Sequence, residues 1–207
     1  AYALEELSAV SGFNLVMPTL VLAGIGTLFT TGLGQPARLA EGMAVAMAAE
    51  LLPLALVITV LAALVGVVLV RLLVPLAQWL GPWLRSRRLP LAVAIAALFT
   101  LLAVASGGIS LNDGSLALGP ALAGTADSPW WAPLPRLLGP LLSIAIGAPG
   151  GLMHDSMSLG AVLVGPWLQQ LPAEQQAALA AVAATAAFSG ACRTPLFCGL
   201  FVFTLQG

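Results

Sequence analysis

Apolar residues run along the chain in long stretches that short polar or glycine- and proline-containing segments interrupt. The stretches cover residues 15–33, 51–80, 89–105, 129–146, 157–171, 176–188 and 195–205. A helix needs about 20 residues to cross the hydrocarbon core of a bilayer, so the stretch 51–80 can span while tilted. Shorter helices are tolerated at membrane depth only where protein or a water-filled cavity covers their ends. The pattern predicts an all-α polytopic membrane protein with broken, tilted helices.

The breaks between the later stretches are rich in glycine, proline and small residues. They lie at residues 106–108, 119–120, 147–151, 165–166 and 193–195. The third break, Gly147-Ala148-Pro149-Gly150-Gly151, could open a helix whose unpaired N–H groups and positive dipole end hold an anion. It could equally be a tight packing turn between two helices. The residues alone leave both interpretations open.

The composition indicates a membrane surrounding and argues against a nucleic-acid partner. The 207 residues are 60% hydrophobic and 7% charged, whereas soluble domains are about 25% charged, so the bilayer is the expected surrounding. A net charge of −1 without a basic tail argues against nucleic acid as a partner. Three arginines, Arg85, Arg87 and Arg88, crowd a short polar break that we expect to face the cytoplasm by the positive-inside tendency.

The polar residues offer little for catalysis or metal binding. The single histidine, His154, and three aspartates provide no nucleophile–base spacing, phosphate loop or metal cluster, so we expect neither an enzyme nor a cofactor. His154 and Asp155 are adjacent, point apart on a helix and have no third ligand nearby. Cys192 and Cys198 fit neither a disulfide framework nor a zinc site, and we interpret both as small apolar residues.

The third break carries a resemblance to a known family. Gly147-Ala148-Pro149-Gly150-Gly151-Leu152-Met153, followed by Ser158-Leu159-Gly160-Ala161, resembles the second-half filter motif, usually written GxFxP, of the ClC family of chloride channels and chloride/proton exchangers. Downstream, Arg193-Thr194-Pro195-Leu196 resembles the family's Arg-x-Pro-Leu helix start, which a small-residue helix precedes. Ser106-Gly107-Gly108 occupies the place of a Ser/Gly-rich break in the family.

The resemblance implies a fold and a domain organisation. The ClC fold has two inverted halves, and this chain looks like one half of the inverted repeat. Tyr2 to Leu7 is similar to the end of the family's first-half helix, with its Glu-Glu pair. We therefore expect residues 1–207 to form a single transmembrane domain, with residues 1–7 ending a first-half helix and residues 8–207 supplying second-half helices. The first residue is Ala1, and we expect the chain to begin within a longer protein.

The resemblance also implies site residues. The backbone N–H groups of Gly151, Leu152 and Met153 would coordinate a partly dehydrated chloride, the transported ligand. Glu6 matches the internal glutamate that passes protons in exchangers, although a solvated interfacial glutamate is the alternative. The chain departs from the motif at Met153 and Asp155, where the family has Phe and Pro. The family motif also has no histidine followed by an acidic residue, as His154 is followed by Asp155 here. We expect Asp155 to lie in the first turn of the helix, where its carboxylate would repel an incoming chloride.

Three functions are compatible with these residues. The first is a chloride transport subunit, a voltage-gated-type channel or an H⁺/Cl⁻ exchanger, and Glu6 favours exchange. The second is a transport-inactive accessory subunit of a larger membrane complex, because the family's GSGIP and GREGP segments and its late pore tyrosine are not in this sequence. The third is an unrelated helical membrane protein whose glycine breaks are packing devices.

Partners and location follow from the same comparison. We expect a homodimer through residues 15–33 and 195–203, or a larger complex that supplies the missing half. The expected location is the bacterial inner membrane or an equivalent internal membrane.

Overall fold

The computed structural model describes residues 49–110, 114–125, 127–145 and 152–206, and within these ranges it contains helices and turns but no strand. A short 3-10 turn, Ala49–Leu51, leads into the first helix. The α-helices are α1 (Leu52–Ser86), α2 (Arg88–Ala105), α3 (Ser115–Leu122), α4 (Pro133–Ala145), α5 (Leu152–Leu168), α6 (Ala173–Cys192) and α7 (Pro195–Gln206). The predicted all-α class is confirmed.

The long helix α1 is the predicted membrane span. Within Ala49–Trp83, an 18-residue window has a mean hydropathy of 2.9, and in the described ranges this is the one helix long and apolar enough to cross a bilayer. A helix of 35 residues is about 52 Å long, which exceeds the roughly 30 Å hydrocarbon core, so it must tilt or project beyond it. The polar break after it is shorter than expected, because Arg87 alone separates α1 from α2.

Helix α6 is the centre of the described bundle, and it packs against α1, α3, α5 and α7. Its buried face is almost entirely alanine, from Ala177 to Ala187. Small residues let helix backbones approach closely in a membrane, where packing rather than water drives association. Gly66 of α1 shows how close this approach is, since a Cβ atom there would overlap the carbonyl oxygen of Ala187.

Two of the predicted breaks are helix ends. Residues 106–110 form the turn after α2, in which Gly107 and Gly108 have φ angles of 61° and 89°. Arg193, with a φ of 59°, ends α6, and α7 begins at Pro195. The 147–151 break lies outside the described residues, and α5 begins immediately after it at Leu152.

Two other predicted breaks were wrong. Gly119 and Pro120 lie inside α3, and Gly165 and Pro166 lie inside α5. A proline removes one N–H donor, and in membrane helices neighbouring groups satisfy the carbonyl that loses its partner, so the helix continues. Pro166 also lies in the last turn of α5, where the helix has almost ended.

Candidate functional site

The candidate site is the first turn of α5, which contains Leu152, Met153, His154 and Asp155. The first four N–H groups of a helix have no acceptor within the helix, and they carry the positive end of the helix dipole. The Leu152 side chain packs against the buried cluster of Leu69, Leu141 and Leu159, so this turn lies against the apolar span of α1. The turn therefore has backbone donors next to an apolar cluster of the bundle.

A buried serine anchors the carbonyl side of the same turn. The Ser156 hydroxyl lies 2.6 Å from the carbonyl oxygen of Leu152 and 2.9 Å from that of Met153, and it donates to them. The Met153 side chain packs against the buried cluster that includes Met157 and Phe188. The two carbonyls and the Met153 side chain therefore have partners within the bundle.

Asp155 forms an ion pair with Arg136 of α4. The Arg136 side chain is completely buried and that of Asp155 is 14% exposed. The Nε atom of Arg136 donates to the Ser158 hydroxyl at 2.7 Å, and that hydroxyl donates to the backbone carbonyl of Asp155 at 3.0 Å. The Nη1 atom of Arg136 donates to the carbonyl oxygen of Ile109 at 3.5 Å. The polar atoms of this network therefore satisfy one another inside the bundle.

Gly114 makes room for this network. It has a φ of 91°, in the left-handed region that favours glycine. A Cβ atom there would lie 2.5 Å from the Nη2 atom of Arg136 and would also overlap the Ser158 hydroxyl. The turn before α3 can therefore pass the ion pair only because residue 114 has no side chain.

The sequence analysis placed Asp155 in the first turn of this helix, and the structure confirms that position. The expected repulsion of chloride considers the Asp155 carboxylate without a counter-charge. Arg136 supplies the opposite charge, so the pair has no net charge when both groups are ionised. The departure from the family motif at Asp155 is accompanied by a buried counter-charge.

Arg136 is the residue of the candidate site that the sequence alone did not identify. The sequence contained a signal for it, because Arg136 is a single ionisable residue within the apolar stretch 129–146. An ionisable residue inside a membrane segment is expensive and therefore indicates a site, with a partner to be found. The partner lies on another helix, 19 residues further along the chain, where no local pattern identifies it.

His154 and Asp155 have different neighbours. The His154 ring packs edge-on against Phe201, with ring centroids 6.2 Å apart and an interplanar angle of 83°. Within the described ranges, no group of three His, Cys, Asp or Glu residues could hold a metal ion. Cys192 and Cys198 are thiols, and Cys198 is fully buried in the core, as an apolar interpretation predicts. Glu6 and Gly151 lie outside the described residues.

A family model described as voltage gated chloride channel matches residues 1–207. Neither the curated proteins nor the solved structures include a match to the chain.

Proposed function

The chain belongs to the voltage-gated chloride channel family, and we propose that the start of α5 is the part of it that binds the transported anion. The family consists of membrane-embedded chloride transporters rather than enzymes, and its members are generally dimers. One observation supports the proposal most directly: α5 begins at Leu152, and the acidic side chain of its first turn is paired with buried Arg136.

Backbone N–H groups suit a transported anion. Several partial positive charges replace part of the hydration shell of chloride, yet they do not hold it as tightly as a buried, uncompensated cation would. The proposed donors are the N–H groups of Gly151, Leu152 and Met153. Arg136 does not act as such a trap in this proposal, because Asp155 compensates its charge.

We propose exchange of chloride for protons as the mode of transport, with Glu6 as the group that transfers protons. This proposal rests on the resemblance of residues 1–7 to the end of the family's first-half helix. The transport-inactive accessory subunit is the second candidate, motivated by Met153 and Asp155 at filter positions and by the family's GSGIP and GREGP segments, which are not in this sequence. The Arg136–Asp155 pair weakens the argument from the altered filter, because it removes the net negative charge that was expected to exclude chloride.

A homodimer is proposed through a face that includes α7. Leu196, Leu200 and Phe203 are exposed and lie at i, i+4 and i+7, so they form one apolar stripe on α7. This stripe falls within residues 195–203, where the sequence analysis expected the contact. The proposed location is the bacterial inner membrane or an equivalent internal membrane, and the proposed organisation is a single transmembrane domain over residues 1–207.

The test of the anion site removes one backbone donor without removing the helix. Leu152 is the first residue of α5, a position that accepts proline because its N–H group has no partner within the helix. We expect Leu152→Pro to weaken chloride binding about tenfold or more, the effect of losing one hydrogen bond to a charged group. Leu152→Ala is the matched control, since it loses the same side-chain packing but keeps the N–H group. Chloride affinity is measured by calorimetry and transport by efflux from liposomes.

The same liposomes distinguish the modes of transport. Exchange predicts that chloride efflux drives proton movement, and that Glu6→Ala abolishes the proton movement. Chloride flux without proton movement in the unmodified protein would identify a channel. No chloride binding and no flux would identify the accessory subunit, and equal affinities for Leu152→Pro and Leu152→Ala would place the anion elsewhere.

A further inference from the structure

Arg136 connects three parts of the described fold at one point. It lies on α4, pairs with Asp155, donates to Ser158 on the second turn of α5, and donates to the carbonyl of Ile109 in the turn after α2. An arginine that is fully buried requires a counter-charge, because removing it from water costs far more than hydrogen bonds alone return. Asp155 is that counter-charge.

The pair sits next to the proposed anion site. Asp155 follows Leu152 by three residues, which is about 4.5 Å along the helix axis. A charge on either partner would therefore act on an anion at the start of α5, with opposite signs. Arg136 without Asp155 would attract chloride, and Asp155 without Arg136 would repel it.

We propose that Arg136 and Asp155 together set the chloride affinity of the α5 start, as positioning residues that act through their balanced charges rather than by touching the anion. This inference rests on the proposed function of that helix start. The balance keeps binding reversible, since the N–H groups then supply the attraction without a net charge beside them.

The size of the effect follows from the separation. A unit charge about 10 Å from the anion, at an effective dielectric constant of about 20, changes affinity on the order of tenfold. We therefore expect Arg136→Gln to weaken chloride binding about tenfold, because it leaves the Asp155 carboxylate without its counter-charge. Asp155→Asn should strengthen binding about tenfold and slow turnover, because the anion then leaves more slowly.

The double variant Arg136→Gln/Asp155→Asn completes the cycle. Both charges are gone, so the two opposite electrostatic effects on the anion cancel and chloride affinity should return close to that of the unmodified protein. Each single variant should lower the unfolding temperature, because each leaves one buried charge uncompensated. An effect on stability can therefore be distinguished from an effect on chloride affinity, because the two single variants change stability in the same direction and affinity in opposite directions.

The experiment uses the full chain purified in detergent, with chloride titrated by calorimetry and efflux measured after reconstitution. Shifts of affinity in the same direction for both single variants would overturn the proposal and leave the pair a purely structural role. If Arg136→Gln does not fold, the chloride affinities of Asp155→Asn and Asp155→Glu are compared instead. Only Asp155→Asn should bind chloride more tightly, because Asp155→Glu keeps the negative charge. An unmodified protein that binds no chloride refutes the proposed function and with it this inference, whereas binding that neither variant changes refutes this inference alone.

Discussion

Truncation of Phe188 to alanine tests how the bundle around the candidate site is stabilised. Phe188 is fully buried on α6, and its ring meets those of Phe197 and Phe201 on α7 edge-on, with centroids 5.7 Å and 6.1 Å away. Phe201 in turn packs against His154 in the first turn of α5. The phenylalanine cluster therefore connects the proposed anion site to α6 and α7.

The expected cost differs from that in a soluble protein. Lipid tails are as apolar as a protein core, so the transfer from water that dominates in soluble proteins contributes little between membrane helices. The remaining cost is lost packing, and a cavity of about 100 Å³ at about 24 cal/mol per Å³ corresponds to about 2.4 kcal/mol. Loss of the edge-to-face ring pairs adds about 0.5–1.5 kcal/mol. We expect Phe188→Ala to lower the free energy of unfolding by about 3 kcal/mol.

The assay is equilibrium unfolding in mixed micelles, in which SDS is added to a mild detergent and helix content is followed by circular dichroism. Leu101→Ala is the control, because this side chain is 67% exposed on α2, outside the proposed dimer face, and its loss should cost less than about 0.5 kcal/mol. Phe188→Leu should cost less than Phe188→Ala because it leaves a smaller cavity. A loss below about 1 kcal/mol for Phe188→Ala, or an equal loss for Leu101→Ala, would refute packing as the source of stability.

Three further predictions concern close packing and burial. Gly114→Ala should destabilise the protein by about 2 kcal/mol, measured by unfolding, because residue 114 has a positive φ. It should also weaken chloride binding, measured by calorimetry, as Arg136→Gln does, because the new Cβ atom displaces the Arg136 side chain. Gly66→Ala should lower the unfolding temperature, because its Cβ atom would meet Ala187 across the α1–α6 contact. Gly81→Ala is the control, and because residue 81 has open space around it, this change should leave the unfolding temperature unchanged or raise it. In variants with one cysteine, Cys198 should react with a maleimide only after unfolding, and labelling of the folded protein would show that the core opens.

The sequence predicted those parts of the fold that local composition determines. The span α1 and the helices α2, α6 and α7 follow from uninterrupted apolar runs, and the turn after α2 follows from a Ser-Gly-Gly segment. Helix α3 was not predicted, because its Gly119-Pro120 dipeptide indicates a turn by local rules. In this bundle neighbouring helices outweigh that local preference, since α3 packs against α5 and α6.

The candidate site was predictable only in part for a similar reason. The start of α5 could be placed from the glycine-rich segment before it, and Asp155 from its spacing after that segment. The environment of Asp155 could not be derived in this way, because its partner Arg136, which also donates to the Ile109 carbonyl, lies on another helix. Local sequence determines which residues open a helix, whereas the charge near that opening depends on tertiary contacts.

The departure of Asp155 from the family motif and the burial of Arg136 explain each other physically. A carboxylate in the first turn of a helix is favoured by the helix dipole, and it is also the cheapest way to compensate an arginine held on the adjacent helix. A proline at residue 155, as in the family motif, would leave this arginine without a carboxylate partner. Asp155→Pro should therefore be tolerated far better together with Arg136→Met than alone, because the second change removes the charge that needs a partner. Equal stability of the single and double variants in the micelle unfolding assay would show that Arg136 does not depend on Asp155.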